Sequence, residues 1–124
     1  MAACLIVDDS EAMREIAAEH LTTLGHEVVE ASGPKEASDA MGPEQDPFDV
    51  VFLDWDLPAL GALDVLRVIA ALPTRPEIVL CATEHDPRQL RLAAAAGARH
   101  HVLKPFDAEA VASVMAAATR SVAA

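Results

Sequence analysis

With 124 residues, the chain is long enough for one domain and too short for two. It is 52% hydrophobic and 23% charged, with a mean hydropathy of +0.24, which excludes disorder, and no apolar run approaches the roughly 20 residues of a membrane-spanning helix. Nine basic residues against 20 acidic ones, a net charge of -11, disfavour nonspecific contact with DNA or an anionic membrane, because phosphate attraction needs a basic face.

The chain opens on Met-Ala-Ala-Cys-Leu-Ile-Val, without the basic segment of a secretory signal. A cytoplasmic protein is expected, with Cys4 and Cys81 as buried, reduced core residues. Ala3 to Val7 reads as a first strand. Ser10 then caps a helix whose Met13, Ile16, Ala17, His20, Leu21 and Leu24 recur at helical spacing, and Gly25 ends it. Val28-Val29 centres a short second strand, and Pro34 and Gly42 bracket a second helix. Asp46-Pro47 breaks the chain before a third strand, Val50 to Leu53. Leu63, Leu66 and Ile69-Ala70 line a third helix, closed by a turn from Pro73 to Pro76. Ile78 to Cys81 is a fourth strand. Pro87 opens a fourth helix with Leu90 and Ala94 on its face and Gly97 at its end. His101 to Leu103 is a fifth strand, and Ala108 to about Arg120 a last helix.

Five strands alternating with five helices predict an α/β domain over residues 1–124, a doubly wound parallel sheet covered on both faces, because parallel neighbours need crossover helices. In such sheets function gathers outside the carboxyl ends of the strands. Those ends hold Asp8-Asp9, Asp54, Ala82-Thr83 and Lys104-Pro105. Three converging carboxylates repel one another unless a cation intervenes, and Mg²⁺ favours carboxylates, waters and phosphate oxygens. A lysine adds a positive point for a transferred phosphoryl group. The combination suits phosphoryl transfer onto an aspartate. Taken singly, Asp8-Asp9 is also what an ordinary helix start looks like, and Asp54-Trp55-Asp56-Leu57-Pro58 an ordinary turn.

Taken together, Val7-Asp8-Asp9-Ser10, Leu53-Asp54-Trp55-Asp56-Leu57-Pro58, Ala96-Gly97-Ala98 and Lys104-Pro105-Phe106 resemble a CheY-like response-regulator receiver domain over essentially the whole chain. The resemblance implies a flavodoxin-like sheet of order 2-1-3-4-5, a cis Lys104-Pro105 peptide and a single-domain regulator of a two-component phosphorelay. It implies Asp54 as phospho-acceptor, Asp9 as a direct magnesium ligand and Asp8 as a ligand through water. The Asp56 main-chain carbonyl would complete the metal shell, and Lys104 would meet the phosphoryl group. The donor would be a phosphohistidine on a sensor histidine kinase or a histidine phosphotransfer protein. The output would be contact with a target protein through the face of helix four, strand five and helix five. No turnover enzyme is implied.

Three departures bear on switching. Counted back from Lys104 without a gap, the usual strand-four Thr or Ser falls on Ala82, and Thr83 comes one residue late. Either Thr83 substitutes through a local shift or the hydroxyl is missing, and the spacing favours the latter. His101 stands where a Tyr or Phe is usual, and Gly61-Ala62 where an acidic residue and Gly are usual.

Two other classes compete. Arg88 and Arg91 share a helical face and Arg99 follows, so a phosphate-bearing ligand such as a cyclic dinucleotide has guanidinium groups to meet. The plainer reading is a solvated helix face paired with Glu84 and Asp86. Asp54-Trp55-Asp56 resembles the Asp-x-Asp of haloacid-dehalogenase-like phosphatases, but it follows the third strand rather than the first. His100-His101 is no metal pair, since adjacent strand residues point to opposite faces. The last helix ends about where the sequence does, so no DNA-binding output domain is expected.

Overall fold

A computed structural model describes residues 1–84 and 86–123. The order is β1 (Ala3–Val7), α1 (Glu11–Thr23), β2 (Glu27–Ala31), α2 (Pro34–Ala40), β3 (Val50–Asp54), α3 (Gly61–Ala70), β4 (Glu77–Ala82), α4 (Pro87–Ala95), β5 (His100–Leu103) and α5 (Ala108–Ala123). The five strands form one parallel sheet in the order β2-β1-β3-β4-β5. Both the parallel sheet and the implied strand order are therefore present.

Sequence chemistry explains the element ends. The Ser10 hydroxyl accepts the Met13 N–H at 3.3 Å and starts α1. Gly25 at φ 90° and Gly97 at φ 103° follow α1 and α4 in the left-handed conformation that glycine adopts without strain. Pro34 and Pro87 occupy first-turn positions, where the missing N–H costs nothing. Asp86 caps α4 through Arg88 N–H at 2.9 Å, and Asp107 accepts Ala110 N–H at 2.7 Å at the start of α5.

Strand alternation divides the core into two layers. Leu5, Val7, Val51, Leu53, Ile78 and Leu80 pack against Ala37 of α2, Ala62, Val65, Leu66 and Ile69 of α3, and Ala93 of α4. Cys4, Ile6, Val50, Phe52, Val79, Cys81 and Val102 face Ala17 and Leu21 of α1 and Val111, Met115 and Ala118 of α5. Every residue of β3 is buried, as a central strand covered on both sides requires. Burying a side chain such as Phe52 or Leu53 contributes about 1.5–3 kcal/mol.

The helix faces differ from the periodicity in detail. On α3, Ala62 and Val65 are buried where Leu63, 38% exposed, was expected, and Ala70 is exposed. A 3-10 turn, Pro58–Leu60, precedes α3, and its Ala59 and Leu60 have φ of 54° and 59°. That turn sets the rotation at which α3 enters. On α4, Ala93 replaces Ala94 as the buried alanine, and Leu24 beyond α1 is exposed.

Candidate functional site

Chain order reverses between β1 and β3, and their carboxyl ends open a crevice at that switch point. Asp8 follows β1 and Asp54 ends β3, both 2% exposed. Asp8 N–H extends the ladder to Ala31 O at 3.1 Å. Asp9 projects at the surface. One carboxylate oxygen from each of Asp8, Asp9 and Asp54 lies within 4.8 Å of the others.

Lys104 follows β5 and reaches into this cluster. Its Nζ is 2.7 Å from Asp8 Oδ2 and 2.9 Å from Asp54 Oδ1, with the side chain 9% exposed. Burial alone disfavours the lysine charge, yet the two hydrogen bonds and the two carboxylate charges outweigh it and raise the pKa above 10.5. The peptide before it is held by Lys104 N–H donating to Ala82 O at 2.9 Å, and Lys104-Pro105 is cis. Backbone donors also hold the carboxylates. Ser10 N–H donates to Asp8 Oδ1 at 2.9 Å and Asp56 N–H to Asp54 Oδ1 at 3.0 Å.

One ammonium does not neutralise three carboxylates. Asp9 has no hydrogen-bond or ion-pair partner among the described residues, so its oxygens are available to a ligand. The donor set is all oxygen, which suits a hard cation such as Mg²⁺ and excludes a thiolate or imidazole site. Cys81, beside Asp54 on the neighbouring strand β4, takes no part. Burial pushes its thiol pKa far up, and burial with the charge of Asp49 raises that of Cys4 to about 12, so both stay protonated.

Ala82 is the last residue of β4 and pairs with Leu103, one residue before Lys104. Thr83 lies past the strand, exposed, and its hydroxyl makes no hydrogen bond among the described residues. A small open pocket of about 10 Å³ borders Ala82, with Trp55, Leu80, Leu90 and His101 also in its lining. Gly61 has a reason independent of signalling. A Cβ there would come within 3.0 Å of Pro34 Cγ and 3.1 Å of Leu57 Cβ, so α2 and α3 approach through it.

The three arginines do not gather. Arg99 pairs with Glu77 at 2.7 Å, at the amino end of the sheet. Arg88 lies in the first turn of α4, and the nine-residue helix between them is about 13 Å long. The Asp86 carboxylate caps the Arg88 backbone, and neither Arg88 nor Arg91 forms an ion pair with Glu84 or Asp86 among the described residues. His100 is half-buried with Nε2 3.6 Å from Glu77 Oε2, whereas His101 is exposed. Sequence reasoning missed Arg14 altogether. Its Nη1 donates to Asp8 O at 2.7 Å, and no spacing rule singles it out.

Residues 4–116 match the family model for the response regulator receiver domain. A chemotaxis protein CheY homolog of Campylobacter jejuni is 33% identical over 105 residues, covering 82% of this chain and 80% of that one. The transcriptional regulatory protein KdpE of Mycobacterium tuberculosis is 35% identical over 125 residues, covering 100% of this chain and 54% of its own length. Among solved structures, chemotaxis protein CheY4 of Vibrio cholerae is 27% identical with a TM-score of 0.85, covering 95% of this chain and 98% of that one. The dinucleotide-gated reading finds no support in these similarities. The chain belongs to the response regulator receiver domain family, and its function is that of a response regulator in two-component signalling.

Proposed function

We propose that Asp54 accepts a phosphoryl group from a phosphohistidine on a sensor histidine kinase or a histidine phosphotransfer protein, in the cytoplasm, with Mg²⁺ as cofactor. The observation that carries this reading is the buried Asp54 carboxylate, 2.9 Å from Lys104 and within 4.8 Å of the carboxylates of Asp8 and Asp9. Asp9, Asp54 and the Asp56 carbonyl would hold the ion directly, and Asp8 through water. When bound, the ion supplies charge neutralisation for the carboxylates and the incoming phosphoryl oxygens.

The residues of the chain do the rest. An Asp54 oxygen attacks phosphorus as the P–N bond breaks and its electrons return to the imidazole. Asp56 N–H holds the carboxylate in place. Lys104 already sits where negative charge accumulates, so it needs little reorganisation as the aspartyl phosphate forms. The output is contact with another protein through α4, β5 and α5, where Leu92 and Leu103 stand 69% and 42% exposed.

The test is phosphorylation by a small phosphodonor, read as a mass shift with Mg²⁺ or with chelator. Wild type gains the mass only with Mg²⁺, and Asp54→Ala gains nothing. Acid-labile phosphate persisting on Asp54→Ala overturns the assignment.

A further inference from the structure

We infer that Arg14 is a positioning residue of the acidic site: it fixes the Asp8–Asp9 peptide and thereby aims the Asp9 carboxylate at the cation. The inference rests on the reading of the crevice as a divalent-cation site and goes beyond it, to a residue outside the acidic cluster.

Arg14 lies on the first turn of α1, its side chain only 17% exposed. Nη1 donates to the main-chain oxygen of Asp8 at 2.7 Å, while Nε faces Glu30 Oε1 of β2 at 3.4 Å. The sheet takes the Asp8 N–H, which donates to Ala31 O. The Asp8 carbonyl lies where β1 has ended, and Arg14 is its partner. That carbonyl shares a rigid plane with the N and Cα of Asp9, because the peptide bond does not rotate. Holding the oxygen therefore holds the origin of the Asp9 side chain.

The consequence for Asp9 is specific. Asp8 and Asp54 have their carboxylates fixed by Lys104 and by backbone N–H groups. Asp9 is exposed and its carboxylate has no partner among the described residues, so the backbone is what limits the positions its rotamers can reach. The planar guanidinium holds Asp8 O and Glu30 together, which a single ammonium does not reproduce.

Coulomb's law alone predicts the opposite sign, which makes the test sharp. Removing a cation from beside carboxylates should tighten Mg²⁺ binding, whereas loss of positioning should weaken it. Mg²⁺ titrations of the full chain can be followed by the fluorescence of Trp55, the single tryptophan, adjacent to Asp54. Arg14→Met keeps the apolar stem and loses the donors; its affinity should fall about tenfold, equivalent to about 1.4 kcal/mol. Arg14→Lys, which retains one donor for Asp8 O, should recover part of the loss. Circular dichroism checks that both variants fold.

Equal or tighter binding by Arg14→Met overturns the inference, and so does an Arg14→Lys variant no better than Arg14→Met. Asp9→Asn separates this from the underlying reading. If wild type binds no Mg²⁺, or Asp9→Asn binds it as wild type does, the cation site itself is refuted.

Discussion

Replacing Lys104 by Met isolates the electrostatics of the crevice. The change keeps an apolar stem of similar length and removes the ammonium that, alone among the described residues, neutralises Asp8 and Asp54, at 2.7 and 2.9 Å. At 4.8 Å, the outer separation of the cluster oxygens, two unit charges repel by about 3.5 kcal/mol at an effective dielectric of about 20. That agrees with the about 3–5 kcal/mol typical of breaking a buried pair by removing one partner. We therefore expect Lys104→Met to lose about 3 kcal/mol in chelator, a fall in Tm of about 10 °C for a domain of this size. The loss should hold between pH 7 and 9. The folded pKa of Lys104 is raised above its ordinary 10.5, so its contribution is complete below that value and is lost only as pH rises through the folded pKa. Mg²⁺ discriminates further. An ion that binds only the folded state adds about 2.7 kcal/mol at a hundred times its Kd, and the variant offers it carboxylates with no competing ammonium. Thermal melts with and without Mg²⁺ should show a larger shift for the variant than for wild type. Equal shifts, or a variant as stable as wild type in chelator, would refute the reasoning.

His26 gives the chain an acid sensitivity away from the site. Burial first and the N-terminal ammonium second lower its pKa below 6.5, and its Nδ1 accepts the Ala2 N–H at 3.0 Å. The unfolded chain thus binds the proton more readily, and this contribution, complete above pH 6.5, is lost as pH falls through the folded pKa. Urea midpoints between pH 8 and 5 should fall faster for wild type than for His26→Gln, and parallel curves would contradict this. At the end of β4, Ala82→Thr should enlarge the structural response to phosphorylation, since a hydrogen bond to a charged group contributes about 1.5–3 kcal/mol, a bias of tenfold or more at about 1.4 kcal/mol per decade. Amide shifts with and without beryllofluoride should move α4 and β5 together in Ala82→Thr and much less in wild type. A full block shift in wild type that vanishes in Thr83→Ala would assign the hydroxyl role to Thr83 instead.

The acidic site was legible because its residues sit at strand ends. Once the runs ending at Val7, Leu53 and Leu103 are seen as strands of one parallel sheet, Asp8, Asp54 and Lys104 must lie at the same edge. The caps were legible too, since Ser10, Gly25, Pro34 and Pro87 act within one turn of themselves. The rotation of α3 was not. Leu63 and Val65 both fit an apolar stripe, and the choice between them is made by the left-handed turn at Ala59 and Leu60, for which neither residue type is a signal. Arg14 was hidden for a related reason. Its target is a main-chain oxygen, and a carbonyl leaves no trace in residue identity. The expected pairing of Arg88 and Arg91 with Glu84 and Asp86 failed because Asp86 has a stronger use as the cap of α4.

The crevice separates into a half built for chemistry and a half built for readout, and the two differ in kind. The chemical half is held by short charge-assisted contacts among residues that are buried almost completely, and those contacts exist before any phosphoryl group arrives. The readout half begins at Ala82, whose methyl group has no polar atom to exchange partners. A ligand shifts a two-state equilibrium only by what it gains in one state over the other. With Ala82 at that position, a phosphoryl group on Asp54 would gain no hydrogen bond from the side chain of residue 82. Coupling to α4 and β5 is then left to Lys104 and its backbone link to Ala82 O, to the Thr83 hydroxyl, or to a partner protein that reads the phosphorylated crevice directly. Direct reading also fits the exposed leucines at 92 on α4 and 103 on β5, which are open to a partner whether or not the chain switches.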